Sequence, residues 1–139
     1  MTNTIRRELT FPQPREQVWR ALTNPAVLAD WMFPNDFEPR VGRRFTFRVP
    51  PNPQAKFDGL TVHCEVVRCT PPLELVFTWV VGELNTIVSY RLEPDGDGTR
   101  LLFEHAGFEQ DQAFKGAGYG WTGMHGKLAK ILAAEAPKP

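Results

Sequence analysis

Residues 60–106, LTVHCEVVRCTPPLELVFTWVVGELNTIVSYRLEPDGDGTRLLFEHA, decide the fold of this chain. They hold segments in which apolar and polar residues alternate, which predicts β-strands at Leu60–Cys69, Leu73–Val80, Asn85–Glu93 and Thr99–Ala106. Only the turn-rich stretches TPP, VGE and PDGDG separate these segments. Because parallel neighbours need a crossover of a dozen or more residues, the separators predict an antiparallel meander.

Two more strands are predicted on the N-terminal side of the meander. Ile5–Phe11 runs directly into prolines, which is typical of an edge strand. Arg43–Val49 alternates apolar and polar residues and predicts strand two. The irregular segment Phe33–Arg40 precedes it, and the long connection Pro50–Gly59 follows it. Such a long loop is often a lid, which makes Phe57 at its end a candidate ligand contact.

Two short helices are expected between strands one and two. Apolar residues recur at helical spacing after Pro14, which can occupy the first turn of a helix. Asn24 followed by Pro25 is typical of an N-cap with proline at the first helical position, and this predicts a second helix ending near Trp31.

A long helix is predicted at Tyr119–Glu135, and Pro137 is expected to stop it. Its apolar stripe consists of Trp121, Met124, Leu128, Ile131 and Leu132. It also contains three glycines, Gly120, Gly123 and Gly126, each of which costs about 1 kcal/mol relative to alanine in a helix interior. Close packing or a weakly wound first turn would explain them, and room for a ligand or helix movement is the alternative.

The predicted inner faces of the sheet are rich in aromatic residues. Three stripes are expected to be concave: Leu75, Phe77 and Trp79; Val88, Tyr90 and Leu92; and Leu101, Phe103 and His105. Apolar walls with a few polar groups are how small-molecule pockets are usually built, and a solid aromatic core is the alternative. The candidate ligand-binding residues are Trp31, Phe45, Phe47, Phe57, Trp79, Tyr90, Phe103, His105, Trp121, Met124 and Leu128.

Composition limits the kinds of partner that the chain can have. A length of 139 residues predicts one domain, and the zero formal net charge argues against strong nucleic-acid binding. No stretch is apolar enough for a membrane span, and MTNTIRREL lacks the apolar core of a secretory signal, so a cytoplasmic location is expected. Cys64 and Cys69 lie too far apart on one strand for a disulfide. Either a monomer or a homodimer is compatible with these features.

Several phrases together resemble one known family: LTNPAVLADWM at 22–32, RVGRRFTFRV at 40–49, CEVVRCTPPLELVFTW at 64–79, VSYRLEPDGDGTRLLFEHAGF at 88–108 and GYGWTGMHGKLAKIL at 118–132. The family is named for the C-terminal domain of the activator of Hsp90 ATPase and belongs to the START-like, SRPBCC or Bet v 1-like superfamily. The resemblance implies an α+β helix-grip fold spanning residues 1–139. In that fold a curved six-stranded antiparallel sheet surrounds a long C-terminal helix, two short helices follow strand one, and a cavity lies inside.

Catalytic, metal and cofactor motifs receive little support from the residues. No phosphate-binding loop, GxSxG elbow or paired CxxC motif occurs, and His63, His105 and His125 lack zinc-site spacing. Neighbouring strand residues face opposite ways, so Cys64 cannot share a face with His63 or Glu65 without a bulge. Neither a cofactor nor a metal is therefore expected.

The leading hypothesis is non-catalytic binding of a small hydrophobic or amphipathic ligand between sheet and helix. Within this site, His105 either hydrogen-bonds to the protein or recognises a ligand, and Tyr90 carries the same ambiguity. The family resemblance adds an Hsp90-type chaperone interaction or stress-response module as one alternative. Related folds add a cyclase or aromatase-like enzyme, with His105 or Tyr90 as acid or base.

Overall fold

The computed structural model describes residues 2–134. The elements in chain order are β1 (Asn3–Phe11), α1 (Arg15–Thr23), α2 (Pro25–Trp31), β2 (Arg44–Val49), β3 (Leu60–Thr70), β4 (Glu74–Val81), β5 (Leu84–Asp95), β6 (Gly98–Phe108) and α3 (Asp111–Ala134). A 3₁₀-helical turn, Pro53–Ala55, lies in the connection between β2 and β3. The strands form one antiparallel sheet in the order β1-β6-β5-β4-β3-β2. The predicted meander and the edge position of β1 are confirmed.

Local sequence explains where the short helices begin. The side chain of Asn24 accepts hydrogen bonds from the backbone N–H groups of Ala26 at 3.0 Å and Val27 at 3.2 Å, so the predicted N-cap of α2 is confirmed. Pro25 occupies the first turn, where a missing N–H costs nothing. Pro14 lies one residue before α1 with an extended backbone, and not inside its first turn as predicted.

The long helix starts earlier than the sequence predicts. It begins at Asp111, whereas the pattern indicated Tyr119. Gly116 and Gly118 obscured the helical periodicity, because each glycine weakens a helix when it is judged by propensity alone. Packing against the sheet compensates: Phe114 is partly buried against the core, with its ring centroid 5.8 Å from that of Phe108. The predicted end at Glu135 and the stop at Pro137 lie outside the described residues.

The core lies between the concave face of the sheet and α3. Eight of the nine residues in the predicted inner stripes are buried, and Trp79 is half-buried. From the helix, Trp121, His125, Leu128 and Leu132 are buried against them. The sheet therefore wraps the helix as the fold class predicts, and the interior is largely filled with aromatic side chains.

A candidate ligand cavity between the sheet and the N-terminal half of α3

The interior is not completely filled. An apolar cavity of about 240 Å³ lies between α3, the ends of the central strands and the tip of the β4–β5 hairpin. Its lining residues are Phe33, Val49, Leu60, Val62, Trp79, Val81, Leu84, His105, Phe108, Ala113, Ala117, Gly120, Trp121 and Met124. Cavities of this kind are the usual form of a small-molecule site.

A chain of hydrogen bonds runs through the wall of this cavity. The indole N–H of Trp121 donates to Nδ1 of His105 at 2.9 Å. His105 Nε2 lies 2.7 Å from the hydroxyl oxygen of Thr86, and that hydroxyl donates to the backbone carbonyl of Trp79 at 2.8 Å. An indole nitrogen can only donate, so Nδ1 must accept and the neutral ring carries its proton on Nε2. The side-chain polar atoms of Trp121, His105 and Thr86 are thus all paired within this series of hydrogen bonds.

The register of the sheet places these groups together. Val88 of β5 lies opposite His105 of β6, so Thr86, two residues before Val88, is the diagonal neighbour of His105 on the same face. Burial lowers the pKa of His105 to about 3. The ring is therefore neutral at physiological pH, and its Nε2–H donates to the Thr86 hydroxyl, so both ring nitrogens are hydrogen-bonded within the protein.

The second buried histidine belongs to the core and not to the cavity wall. Nε2 of His125 lies 3.0 Å from the Tyr90 hydroxyl, and the His125 ring stacks on the indole of Trp121 with centroids 5.4 Å apart. Burial, aided by the charge of Arg7, lowers the pKa of His125 to about 4. Burial also raises the pKa of Tyr90 well above its ordinary value. Both groups are neutral and paired with each other.

The cavity brings together four of the residues predicted from sequence: Trp79, His105, Trp121 and Met124. Six others are packed in the core and do not line it, namely Trp31, Phe45, Phe47, Tyr90, Phe103 and Leu128. Phe57 is half-buried in the β2–β3 connection, where its backbone pairs with Asn52. It does not line the cavity either. The aromatic rings among these core residues pack against one another, as Trp31 does with Tyr90 and Phe45 with Phe47.

Sequence reasoning missed most of the small residues in the lining. Ala113, Ala117 and Gly120 lead to the predicted Met124 at helical spacings of four, three and four residues. Extending the apolar stripe of α3 towards its N-terminus would have found them. Val81 and Leu84 were missed because they lie at the ends of the β4–β5 hairpin, in a stretch interpreted as a turn.

A second, polar recess of about 390 Å³ adjoins the cavity. The two share Val81, Leu84 and Ala113 as lining residues. The remainder of the recess is formed by Glu83, Asn85, Gly107, Glu109 and Gln110. The polar recess therefore contains two carboxylates and no basic side chain among its lining residues.

Two other kinds of chemistry lack a suitable arrangement of residues. Cys64 is buried, and burial raises the pKa of its thiol, which opposes formation of the reactive thiolate. Within residues 2–134, no group of three or more His, Cys, Asp and Glu side chains is placed to hold a metal ion. Nor is any helix in the described part of the chain long and apolar enough to cross a membrane.

A six-stranded antiparallel sheet gripping a long helix above an apolar cavity defines a START-like domain of the ligand-binding SRPBCC class. Residues 12–133 match the model of the family described as Activator of Hsp90 ATPase homolog 1-like protein, and the chain belongs to that family. The resemblance seen in the sequence is thus confirmed. A comparison with functionally curated proteins gives no match.

Solved structures agree with this family assignment. Protein MLL2253 from Mesorhizobium loti is 32% identical with a TM-score of 0.87, over 97% of this chain and 100% of that one. CalU16 from Micromonospora echinospora is 27% identical with a TM-score of 0.77, over 96% of this chain and 78% of that one. CV1439 from Chromobacterium violaceum shares the fold, with 20% identity and a TM-score of 0.81 over 94% and 96% of the two chains.

Proposed function

We propose that this protein binds a small hydrophobic or amphipathic molecule in the apolar cavity and does not transform it. The observation that carries the proposal is the cavity itself, about 240 Å³ of space with an almost entirely apolar wall. Burying apolar ligand surface there contributes about 25 cal/mol per Å² removed from water, before the cost of association is subtracted. The membership of a ligand-binding class supports the same conclusion.

The volume limits what can be held inside. Drug-sized ligands occupy pockets of roughly 300–1,000 Å³, so this cavity suits a smaller guest or one part of a larger one. An engineered apolar cavity of about 150 Å³ accepts benzene. A guest with one or two rings, or a short hydrocarbon chain, matches the space, and any further part of the molecule would extend into the polar recess.

The state of the polar groups favours binding over acid–base chemistry. A general base should have a pKa near the working pH and a free position for the proton that it abstracts. His105 has a pKa of about 3, and both of its ring nitrogens are occupied by Trp121 and Thr86. Tyr90 is bonded to His125 and does not line the cavity. The cyclase or aromatase alternative is therefore not favoured.

Ligand binding can be followed directly because Trp79 and Trp121 form part of the wall. Small aromatic and aliphatic compounds should alter intrinsic tryptophan fluorescence and appear as mass shifts in native mass spectrometry.

Ala117→Leu adds bulk within the cavity, and it should weaken binding at least about tenfold, equivalent to about 1.4 kcal/mol. Ala129→Leu, on the exposed face of the same helix, is the matched control and should bind like the wild type.

Two results would remove the proposal: no binding from a broad library, or equal binding by both leucine variants.

The chaperone alternative remains a prediction from the family resemblance. Affinity purification from the source cells tests it, and failure to enrich Hsp90 or another stable partner would remove its support.

A further inference from the structure

We propose that the ligand of this cavity is an amphipathic amine, with a hydrocarbon or aryl body free of polar atoms and a cationic head. This inference rests on the proposed function, because it names the chemical class that the same cavity selects. The body would lie in the apolar cavity, and the head would lie in the adjoining recess.

The hydrogen bonds of the wall determine the chemistry of the buried body. The side-chain polar atoms of His105 and Trp121 are occupied within the protein, by each other and by Thr86. A polar atom of a ligand placed beside them would find no free partner. Burying such an atom without a hydrogen-bond partner is strongly unfavourable. The portion held inside must therefore be purely apolar.

The position of the polar recess determines where the head lies. Val81, Leu84 and Ala113 line both spaces, so a ligand extending from the cavity across these residues enters the recess. Glu83 and Glu109 line this space from different parts of the chain. Glu83 lies in the turn between β4 and β5, and Glu109 follows β6 directly. Both side chains belong to exposed residues.

The charge of the recess favours a cation. None of the ion pairs found among residues 2–134 involves Glu83 or Glu109. The N-terminus of α3 near Gln110 opposes them with the equivalent of about half a positive charge. The combined negative charge of the Glu83 and Glu109 carboxylates is larger than this partial positive charge. A ligand ammonium group would therefore be attracted, and a ligand carboxylate would be repelled.

The test compares three probes with the same chain length: n-octylamine, 1-octanol and octanoate, measured at pH 7 by tryptophan fluorescence and calorimetry. Ion pairs with exposed carboxylates are weak, so octylamine should bind only about threefold to tenfold more tightly than octanol. Octanoate should bind most weakly. The preference for the amine should shrink as salt concentration rises, because these charges are exposed to solvent.

Variants locate the origin of the preference. The double variant Glu83→Gln/Glu109→Gln should bring the ratio of octylamine to octanol affinity to about one, while octanol affinity stays within about twofold of wild type. Glu8→Gln/Glu16→Gln changes the net charge equally at exposed positions outside the recess, and it should keep the preference.

Each contrary result has its own meaning. If octanol binds but octylamine has no advantage, or if the advantage survives in Glu83→Gln/Glu109→Gln, the amine inference is overturned and the cavity proposal stands. If none of the three probes binds, both proposals fail together.

Discussion

Nε1 of Trp121 lies 2.9 Å from Nδ1 of His105 and joins α3 to β6 through a hydrogen bond between two buried side chains. The bond leaves the proton of the neutral imidazole on Nε2, facing Thr86. A continuous series of hydrogen bonds thus connects α3, the sheet and the β4–β5 hairpin, and it ends on the backbone carbonyl of Trp79.

Thr86 should contribute to stability through its hydroxyl group. Thr86→Val removes the acceptor of His105 and the donor to Trp79 while keeping a similar shape, so it should lower the free energy of unfolding by about 2 kcal/mol. Thr86→Ser keeps the hydroxyl and deletes one methyl group, which should cost about 1 kcal/mol or less. Urea unfolding at pH 7.5 measures both. Equal losses in the two variants would contradict the role given to the hydroxyl.

Acid should destabilise the protein well above the range in which carboxylates titrate. The folded-state pKa values of about 3 for His105 and about 4 for His125 are below the ordinary value of 6.5. As the pH falls below 6.5, the unfolded chain binds protons at both positions before the folded chain does, so stability decreases. Each histidine should cost about 2 kcal/mol between pH 7.5 and pH 5.

Unfolding free energies at these two pH values test this, and His125→Gln should remove about half of the difference. Titration of Asp36 does not contribute to the stability difference between pH 7.5 and pH 5. A hydrogen bond from the Thr46 backbone lowers its pKa from an ordinary 3.8, so its contribution is lost only at lower pH. A stability that is flat from pH 7.5 to pH 5 would be inconsistent with buried neutral histidines.

Two glycines of α3 should be replaceable with a gain in stability. A Cβ atom at Gly123 or Gly126 would meet nothing within 4 Å, so close packing does not explain either residue. Alanine at each should raise the free energy of unfolding by about 1 kcal/mol. Gly98→Ala serves as a control in which a loss of stability is expected. Its Cβ would overlap the carbonyl oxygen of Phe11, so the free energy of unfolding should fall by about 1–3 kcal/mol. Thermal and urea unfolding measure the three variants.

The two thiols should differ in reactivity. Both cysteines are free, Cys64 is buried, and Cys69 is half-buried. Burial raises both pKa values, and it raises that of Cys64 further. Because the thiolate is the nucleophile, a thiol reagent should modify Cys69 first and reach Cys64 only on unfolding. Mass spectrometry of the labelled native protein checks this order, and early labelling of Cys64 would contradict the packing described here.

Much of the fold could be predicted because strands and turns are encoded locally. The alternation in residues 73–80 and the short PDGDG separator both act over a few positions, so neighbouring residues are sufficient to recognise them. The start of α3 could not be predicted in the same way. Its first turns contain Gly116 and Gly118, and what makes them helical is contact between Phe114 and a strand that ends at Phe108.

The candidate site shows the same division. Sequence alone determined which residues face inwards on each strand, because the period of two is a property of the extended backbone. Only the tertiary structure decided which inward residues fill the core, as Phe103 does, and which border empty space, as Trp79 does. A cavity exists where side chains from distant segments fail to meet, and that depends on the distance between helix and sheet, which no local pattern specifies.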